Sequence, residues 1–152
     1  LSEELEHVRS YLEIEQLRWG ERVAVKWKVD AGCEQLRIPP FAVQTLVENA
    51  VQHGIGPKLE PGQITIAVRP YPGHTLIAVQ DDGAGMTAAE RRQALGAVTE
   101  RMHGLQILTQ QLIFLYDRRA RLRLFSAVDR GTLAAFVVPE SSQPGVCPRG
   151  KA

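Results

Sequence analysis

The sequence has only two cysteines, Cys33 and Cys147. No disulfide framework can be built from them, and no metal-ligand spacing occurs, which suits a reducing cytosol. No apolar run approaches the ~18 residues that a membrane helix needs, and there is no signal peptide. A cytoplasmic location is therefore expected, and any membrane segment would belong to a longer protein. Neither sign of charge dominates. A net charge of +1 argues neither for nucleic acid nor for an acidic ligand surface, and no nucleic-acid partner is expected. There are no repeats. There is no initiating Met either: the chain opens at Leu1 inside a helical pattern and reads as a piece of something longer.

What is present suits one folded domain. The 152 residues are 44% hydrophobic, enough for a core, and 23% charged, an ordinary surface. Ser2 is placed to cap a first helix whose Leu5, Val8, Leu12 and Trp19 keep helical spacing, with Gly20 as its stop. Val23 to Val29 alternates and predicts a strand with Lys26 and Lys28 outward. Strands are also expected at Gln63–Arg69 and Thr75–Gln80, joined through Pro70–Gly73, and at Leu122–Val128 and Thr132–Val138. Thr87-Ala-Ala-Glu90 is a capping-box pattern for a short helix. Leu105 to Leu115 is apolar at helical spacing. The Pro/Gly-rich residues 141–152 read as a disordered tail, leaving a domain over 1–140 that includes the first helix, 1–19. The order α-β-α-β-β-α-β-β predicts a two-layer α/β sandwich, with helices on one face of a largely antiparallel sheet.

The chain is organised around Phe41 to Gly54. Pro39 and Pro40 suit a helix's first turn, and Gly54 is expected to close it in a left-handed cap. Val43, Leu46, Val47 and Ala50 form the apolar stripe. Thr45, Glu48, Asn49, Gln52 and His53 fall on the other side, so a carboxylate, an amide and an imidazole lie within two turns.

Three further motifs are ordinary when taken singly. Asp81-Asp-Gly-Ala-Gly85 is a turn after an apolar strand. It is also a carboxylate that can accept from an exocyclic amine, followed by glycines that let backbone approach a flat ring. His103-Gly104-Leu105 opens a helix, whose free N–H groups bind phosphate. Gly131-Thr132 is a hairpin turn with a hydroxyl that could join Asp81 in fixing a base.

Together, in this order and spacing, these residues resemble the ATP-binding catalytic domain of sensor histidine kinases, in the superfamily that includes gyrase B, Hsp90 and MutL. Tyr11-Leu-Glu-Ile-Glu-Gln-Leu-Arg18 and Ile38-Pro-Pro-Phe-x-x-Gln-x-Leu-Val-Glu-Asn-Ala50 are similar to the LytS-like subfamily. The resemblance spans about Leu1 to Pro139 and implies the Bergerat ATP-binding fold, with ATP and Mg²⁺ as ligands. Asn49 would coordinate Mg²⁺. Glu48 would assist the metal or its waters, and His53 would face the phosphates. Asp81 would accept from the adenine amine, with Thr132 nearby, and Gly83 and Gly85 would shape the base pocket. Gly104 and Leu105 would begin the helix that meets the phosphates, and Met86 to His103 would be a lid. Its implied partners are upstream dimerisation helices that carry the phosphoacceptor histidine, and a response regulator.

Some positions depart from the family pattern. Gln52 stands where lysine is usual, Met102 and Ile107 replace a glycine and an asparagine of the second glycine box, and Gln111 takes the place of an arginine. His7, His53, His74 and His103 all lack the acceptor context. The resemblance therefore leaves two readings. One is a kinase catalytic domain that phosphorylates a histidine elsewhere, and the other is a degenerate nucleotide-binding or dimer signalling module of the same fold. A gyrase-type ATPase clamp fits the N-terminal helix pattern poorly.

Overall fold

The computed structural model describes residues 1–96 and 104–140. The first helix, α1 (Ser2–Trp19), buries Leu5, Val8 and Leu12 and ends at Gly20, whose φ is 63°. Its cap is Leu1 rather than Ser2; the Ser2 amide donates to the Glu34 carbonyl at 3.1 Å instead. Strand β1 follows at Val23–Val29, with Lys26 and Lys28 exposed as the alternation requires.

The central helix α2 (Ala42–Asn49) begins after Phe41, which takes a left-handed conformation with φ 59°. Pro39 and Pro40 precede the helix, as expected. Its free N–H groups are met from far along the chain. Glu4 Oε1, on α1, accepts from Val43 N at 2.5 Å and Gln44 N at 3.2 Å. A carboxylate at a helix N-terminus satisfies both the orphan donors and the dipole. Burial pushes the Glu4 carboxyl above its ordinary value, and these two N–H groups oppose the shift.

The helix does not close at Gly54 in a left-handed cap. It continues as a π-helical turn over Ala50–Ile55, where Gly56 N donates to Val51 O at 2.8 Å. Gly54 serves packing instead: a Cβ there would stand 2.6 Å from both Cγ and Oδ1 of Asp81. π-turns are uncommon and concentrate at functional sites.

Strands β2 (Gly62–Tyr71) and β3 (His74–Asp81) form a hairpin, so Pro70 and Tyr71 are paired strand residues and the turn is only Pro72-Gly73. A short helix, α3 (Ala88–Leu95), has the Thr87–Glu90 capping box and buries none of its residues. Helix α4 (Gly104–Tyr116) buries Leu105, Gln106, Leu108 and Leu112. Strand β4 is confined to Arg123–Ser126, because Ala127 to Arg130 turn, with Asp129 at φ 59°. Strand β5 spans Thr132–Pro139.

The strands form one sheet in the order β1-β2-β3-β5-β4, antiparallel except for the β1–β2 pair. Ile64, Ile66, Val68, Ile77, Val79, Phe136 and Val138 point to one face. There they meet Val8, Val43, Leu46, Val47, Leu108 and Leu112 from the helices in one core. The architecture is the two-layer sandwich with a mixed, mainly antiparallel sheet. Cys33 is fully buried and disulfide-bonded, against the expectation of reduced thiols. Among the described residues, no helix is long and apolar enough to cross a membrane.

Candidate functional site

Alternation places Asp81 on the core face at the end of β3, and the register sets it opposite Thr132 on β5 and Ile64 on β2. Asp81 is therefore a carboxylate with 3% exposure in the middle of the sheet. Two backbone donors hold its Oδ1: Gly83 N at 2.9 Å and Thr132 N at 3.3 Å. Burial raises its pKa above the ordinary value, and these N–H groups partly counter that. An ionisable group kept buried and aimed is a site candidate on physical grounds.

The loop after Asp81 is clamped to the central helix. Ala84 N donates to Gly54 O at 2.9 Å. A Cβ on Gly83 would lie 2.2 Å from the Gly54 carbonyl carbon, so only glycine allows this contact. Gly85 has φ +67°, and a Cβ there would lie 1.9 Å from the Ala127 carbonyl oxygen. Ser126 ties the other side: its hydroxyl accepts from Met86 N at 2.8 Å, donates to Gly131 O at 3.0 Å, and lies 2.9 Å from Thr132 Oγ1.

Beside this clamp opens a cleft of about 680 Å³, of the size that holds a small-molecule ligand. Its described lining joins four elements, with Pro57 at its edge. The central helix supplies Thr45, Glu48, Asn49, Gln52 and His53; the loop supplies Ala84, Gly85 and Met86; helices α3 and α4 supply Glu90, Gln93, Ala94, Gly104 and Leu105. Glu48 Oε1 accepts from Gln44 Nε2 at 2.8 Å. Asn49 is half-buried and His53 is exposed. Gly104 opens α4 directly over Thr45, whose Cγ2 would lie 3.0 Å from a Cβ added there. No lysine or arginine is among the described lining residues.

The predicted residues thus separate into two groups. Glu48, Asn49, His53, Gly85, Gly104 and Leu105 share the cleft wall. Asp81, Gly83 and Thr132 do not line it. They form the buried floor that carries the loop, and the Thr132 hydroxyl is engaged by Ser126. Residues 97–103, which hold His103, Met102 and the end of the expected lid, lie outside the described residues, as does the tail 141–152. The sequence reading missed Ser126, gave Gly54 only as a helix cap, and held Met86 and Gln93 only as part of the lid. For Ser126 a signal existed, since it ends a strand opposite Thr132 across the Asp129–Gly131 turn.

A buried carboxylate floor, a glycine clamp, a polar helix face and the start of a second helix thus meet at one cleft of ligand size. Residues 40–142 match the family of histidine kinase-, DNA gyrase B- and HSP90-like ATPases, and the chain belongs to that family. Over 143 residues it is 33% identical to the sensor protein LytS of Bacillus subtilis, covering 91% of this chain and 24% of that protein. The LytS of Bacillus anthracis is 32% identical over 145 residues, again with 24% of its length covered. The chain therefore spans about a quarter of the length of these relatives. Among solved structures, the catalytic domain of the histidine kinase ThkA is similar in fold, with a TM-score of 0.66 at 16% identity, covering 93% of this chain and 94% of that one. The histidine kinase domain of the Erythrobacter litoralis EL346 blue-light activated kinase gives 0.66 at 19% identity, covering 89% and 59%.

Proposed function

We propose that the chain is the catalytic, ATP-binding part of a two-component sensor histidine kinase of the LytS type, and that it passes the γ-phosphoryl of ATP to a histidine outside these 152 residues. The observation that carries this reading is the single cleft in which Glu48, Asn49 and His53 face Gly85 and the start of α4, above the buried Asp81.

On this reading Asp81 accepts from the adenine amine, with Thr132 and Gly83 setting its direction. Gly85 and Met86 bring backbone against the ring. The N–H groups of the first turn of α4, at Gly104 and Leu105, meet the phosphates with the positive end of the helix dipole. Glu48 and Asn49 fit Mg²⁺ by donor chemistry: adjacent oxygen donors at the cleft, with no cluster of three His, Cys, Asp or Glu among the described residues that could cage an ion. A hard cation bound to nucleotide takes one or two protein oxygens and fills its shell with phosphate and water. When bound it neutralises phosphate charge, which matters here because the described lining carries no lysine or arginine. His53 stands on the phosphate side.

The transfer forms a P–N bond on the acceptor histidine and breaks the β–γ P–O bond, releasing ADP. Positioning and charge stabilisation supply most of such catalysis, so the domain needs no strong base of its own. The nucleophile lies on upstream dimerisation helices of the same longer protein, and a response-regulator aspartate receives the phosphoryl next. Supporting the last step, the structurally similar kinase ThkA is known in complex with a response regulator protein, TrrA.

Incubation with γ-labelled ATP tests the reading. The chain alone should take no label, because His7, His53, His74 and His103 lack the acceptor context. A separate segment carrying the upstream helices should become labelled in trans, and Asn49→Ala should abolish the labelling along with the gain in affinity on adding Mg²⁺. Acid-labile label on the isolated chain would move the acceptor into it. No label even with the upstream helices would leave a nucleotide-binding signalling module.

A further inference from the structure

The motif Tyr11-Leu-Glu-Ile-Glu-Gln-Leu-Arg18 on α1 touches none of the proposed chemistry directly. Its C-terminal half has a structural use. Trp19 Nε1 donates to Glu15 Oε2 at 2.7 Å, and Gln16 Nε2 donates to Val23 O at 3.2 Å, securing the turn into β1. Tyr11 has no such use. Its hydroxyl oxygen is buried and, among the described residues, makes no well-formed hydrogen bond, although the Gln52 side chain stands within reach of it; native structures rarely leave such a group unexplained.

The packing of α1 on α2 says where that hydroxyl stands. Glu4 reaches the first turn of α2 at Val43 and Gln44. Tyr11 is two turns further along the same face of α1. The turns of α2 abreast of it carry Glu48 and Gln52, and both line the cleft. The carboxylates of Glu15 and Glu48 and the Gln52 side chain lie around the phenol, whose O–H is a hydrogen-bond donor. Glu48 has one oxygen committed to Gln44 and a second with no recorded partner.

We propose that Tyr11 is a positioning residue of the nucleotide site, and that its hydroxyl donates to the Glu48 carboxylate, directly or through Gln52, when metal-bound nucleotide draws Glu48 into the cleft. Tyr11 then acts as the outer partner that orients an acidic group near a metal, a role whose loss costs roughly tenfold or more in metal affinity. It also makes α1, which Glu4 already joins to the start of α2, a lever on the site. This rests on the proposed assignment of the cleft to Mg²⁺ and ATP.

Calorimetric titration with a non-hydrolysable ATP analogue, with and without Mg²⁺, tests it in the whole chain. Tyr11→Phe should leave affinity without Mg²⁺ within about twofold and cut the Mg²⁺-dependent gain by about tenfold. Tyr11→Phe combined with Glu48→Gln should be no worse than Glu48→Gln alone. An undiminished Mg²⁺ gain in Tyr11→Phe, or losses that multiply in the double variant, would overturn the proposal. A thermal double-mutant cycle on the same four proteins, run with and without saturating Mg²⁺ and analogue, separates the proposal from the assignment beneath it. Coupling that appears with Mg²⁺ and analogue supports the contact and additivity in their presence overturns it, whereas a wild-type chain with no Mg²⁺-dependent gain would overturn the cleft assignment and the proposal with it.

Discussion

The floor and the wall of the cleft are built by opposite means. The floor, Asp81 with Gly83 and Thr132, is locked by backbone. Strand register, two N–H donors and a glycine contact at van der Waals limit leave it one geometry. The wall, Glu48 to His53, is a polar helix face in which the Asn49 and His53 side chains make no hydrogen bond among the described residues and His53 is exposed. A base is rigid and neutral, and one prebuilt acceptor can read it. Phosphates and their cation carry charge and water, and their ligands gain by remaining free to adjust. On the proposed reading, the molecule puts preorganisation where base recognition needs it and leaves open the end where phosphates and cation must be met.

The largest effect should come from breaking the floor. In Gly83→Ala the new Cβ meets the Gly54 carbonyl carbon at 2.2 Å and its oxygen at 2.3 Å, backbone on both sides, so no rotamer relieves it. Overpacking of this kind costs about 3 kcal/mol or more. For a chain of this size that is a fall in Tm of roughly 6–12 °C. A melt by circular dichroism checks it. A Tm within about a degree of wild type would mean that the loop and the central helix are not locked together.

Asp81→Asn tests recognition with the lock kept. An amide oxygen can still accept from Gly83 N and Thr132 N, so the fold should hold. The amide NH₂ then faces the adenine amine, donor against donor, and a mismatch of about 1–3 kcal/mol should weaken ATP-analogue binding about tenfold or more. Acid should mimic this. The folded-state pKa of Asp81 lies above its ordinary 3.8, chiefly through burial. Ionising Asp81 therefore costs stability as pH rises through the window between 3.8 and that raised value, and acidification recovers it. The same protonation removes the acceptor for adenine. Analogue affinity should thus begin to fall above pH 3.8 in the wild type, and the fall should be absent in Asp81→Asn. Glu4 titrates in the same sense in both proteins, so their difference isolates Asp81.

Much of this was legible because local rules decided it. Val23–Val29 is the predicted strand to the residue, and the Thr87–Glu90 box caps the predicted helix. The cleft wall was legible as a face, since Glu48, Asn49, Gln52 and His53 fall together at helical spacing. What escaped was set by residues far apart in the chain. Gly54 looked like a helix stop because glycine usually is; its real constraint is the Asp81 carboxylate 27 positions on. Ser2 lost its capping role to the Glu34 carbonyl, and the cap of α2 came from Glu4, which no local pattern connects to Val43. The parallel pairing of β1 with β2 likewise depends on α2 crossing between them.

The smallest effect should fall on α3, which belongs to neither side of the comparison. It contributes Glu90, Gln93 and Ala94 to the cleft, yet it buries none of its residues. Gln106 Nε2 on α4 holds the Gln93 carbonyl at 3.1 Å, Arg91 Nη1 donates to the Ser126 carbonyl at 3.5 Å, Ala94 and Leu95 rest against the core, and the capping box fixes its start: Glu90 N donates to Thr87 Oγ1 at 3.2 Å, and Thr87 N donates to Glu90 Oε2 at 2.8 Å. Thr87→Ala removes one half of that box, about 1 kcal/mol, which is roughly a fivefold rise in local opening. Hydrogen exchange should therefore quicken about fivefold at the amides of α3, while those of β3 and the melting temperature barely change. The other half of the box responds to acid. Hydrogen bonds from the Thr87 backbone and side chain hold the Glu90 carboxyl below its ordinary 4.5, so its contribution is present above 4.5 and is lost as pH falls through the depressed value. Acidification through that range should lower the protection factors of α3, taken relative to the acid-slowed intrinsic exchange rates, in the wild type, and by much less in Thr87→Ala, where the hydroxyl is already gone. If both halves can be removed without any change in α3, its anchor lies in α4, and that wall of the cleft is as firmly fixed as the floor.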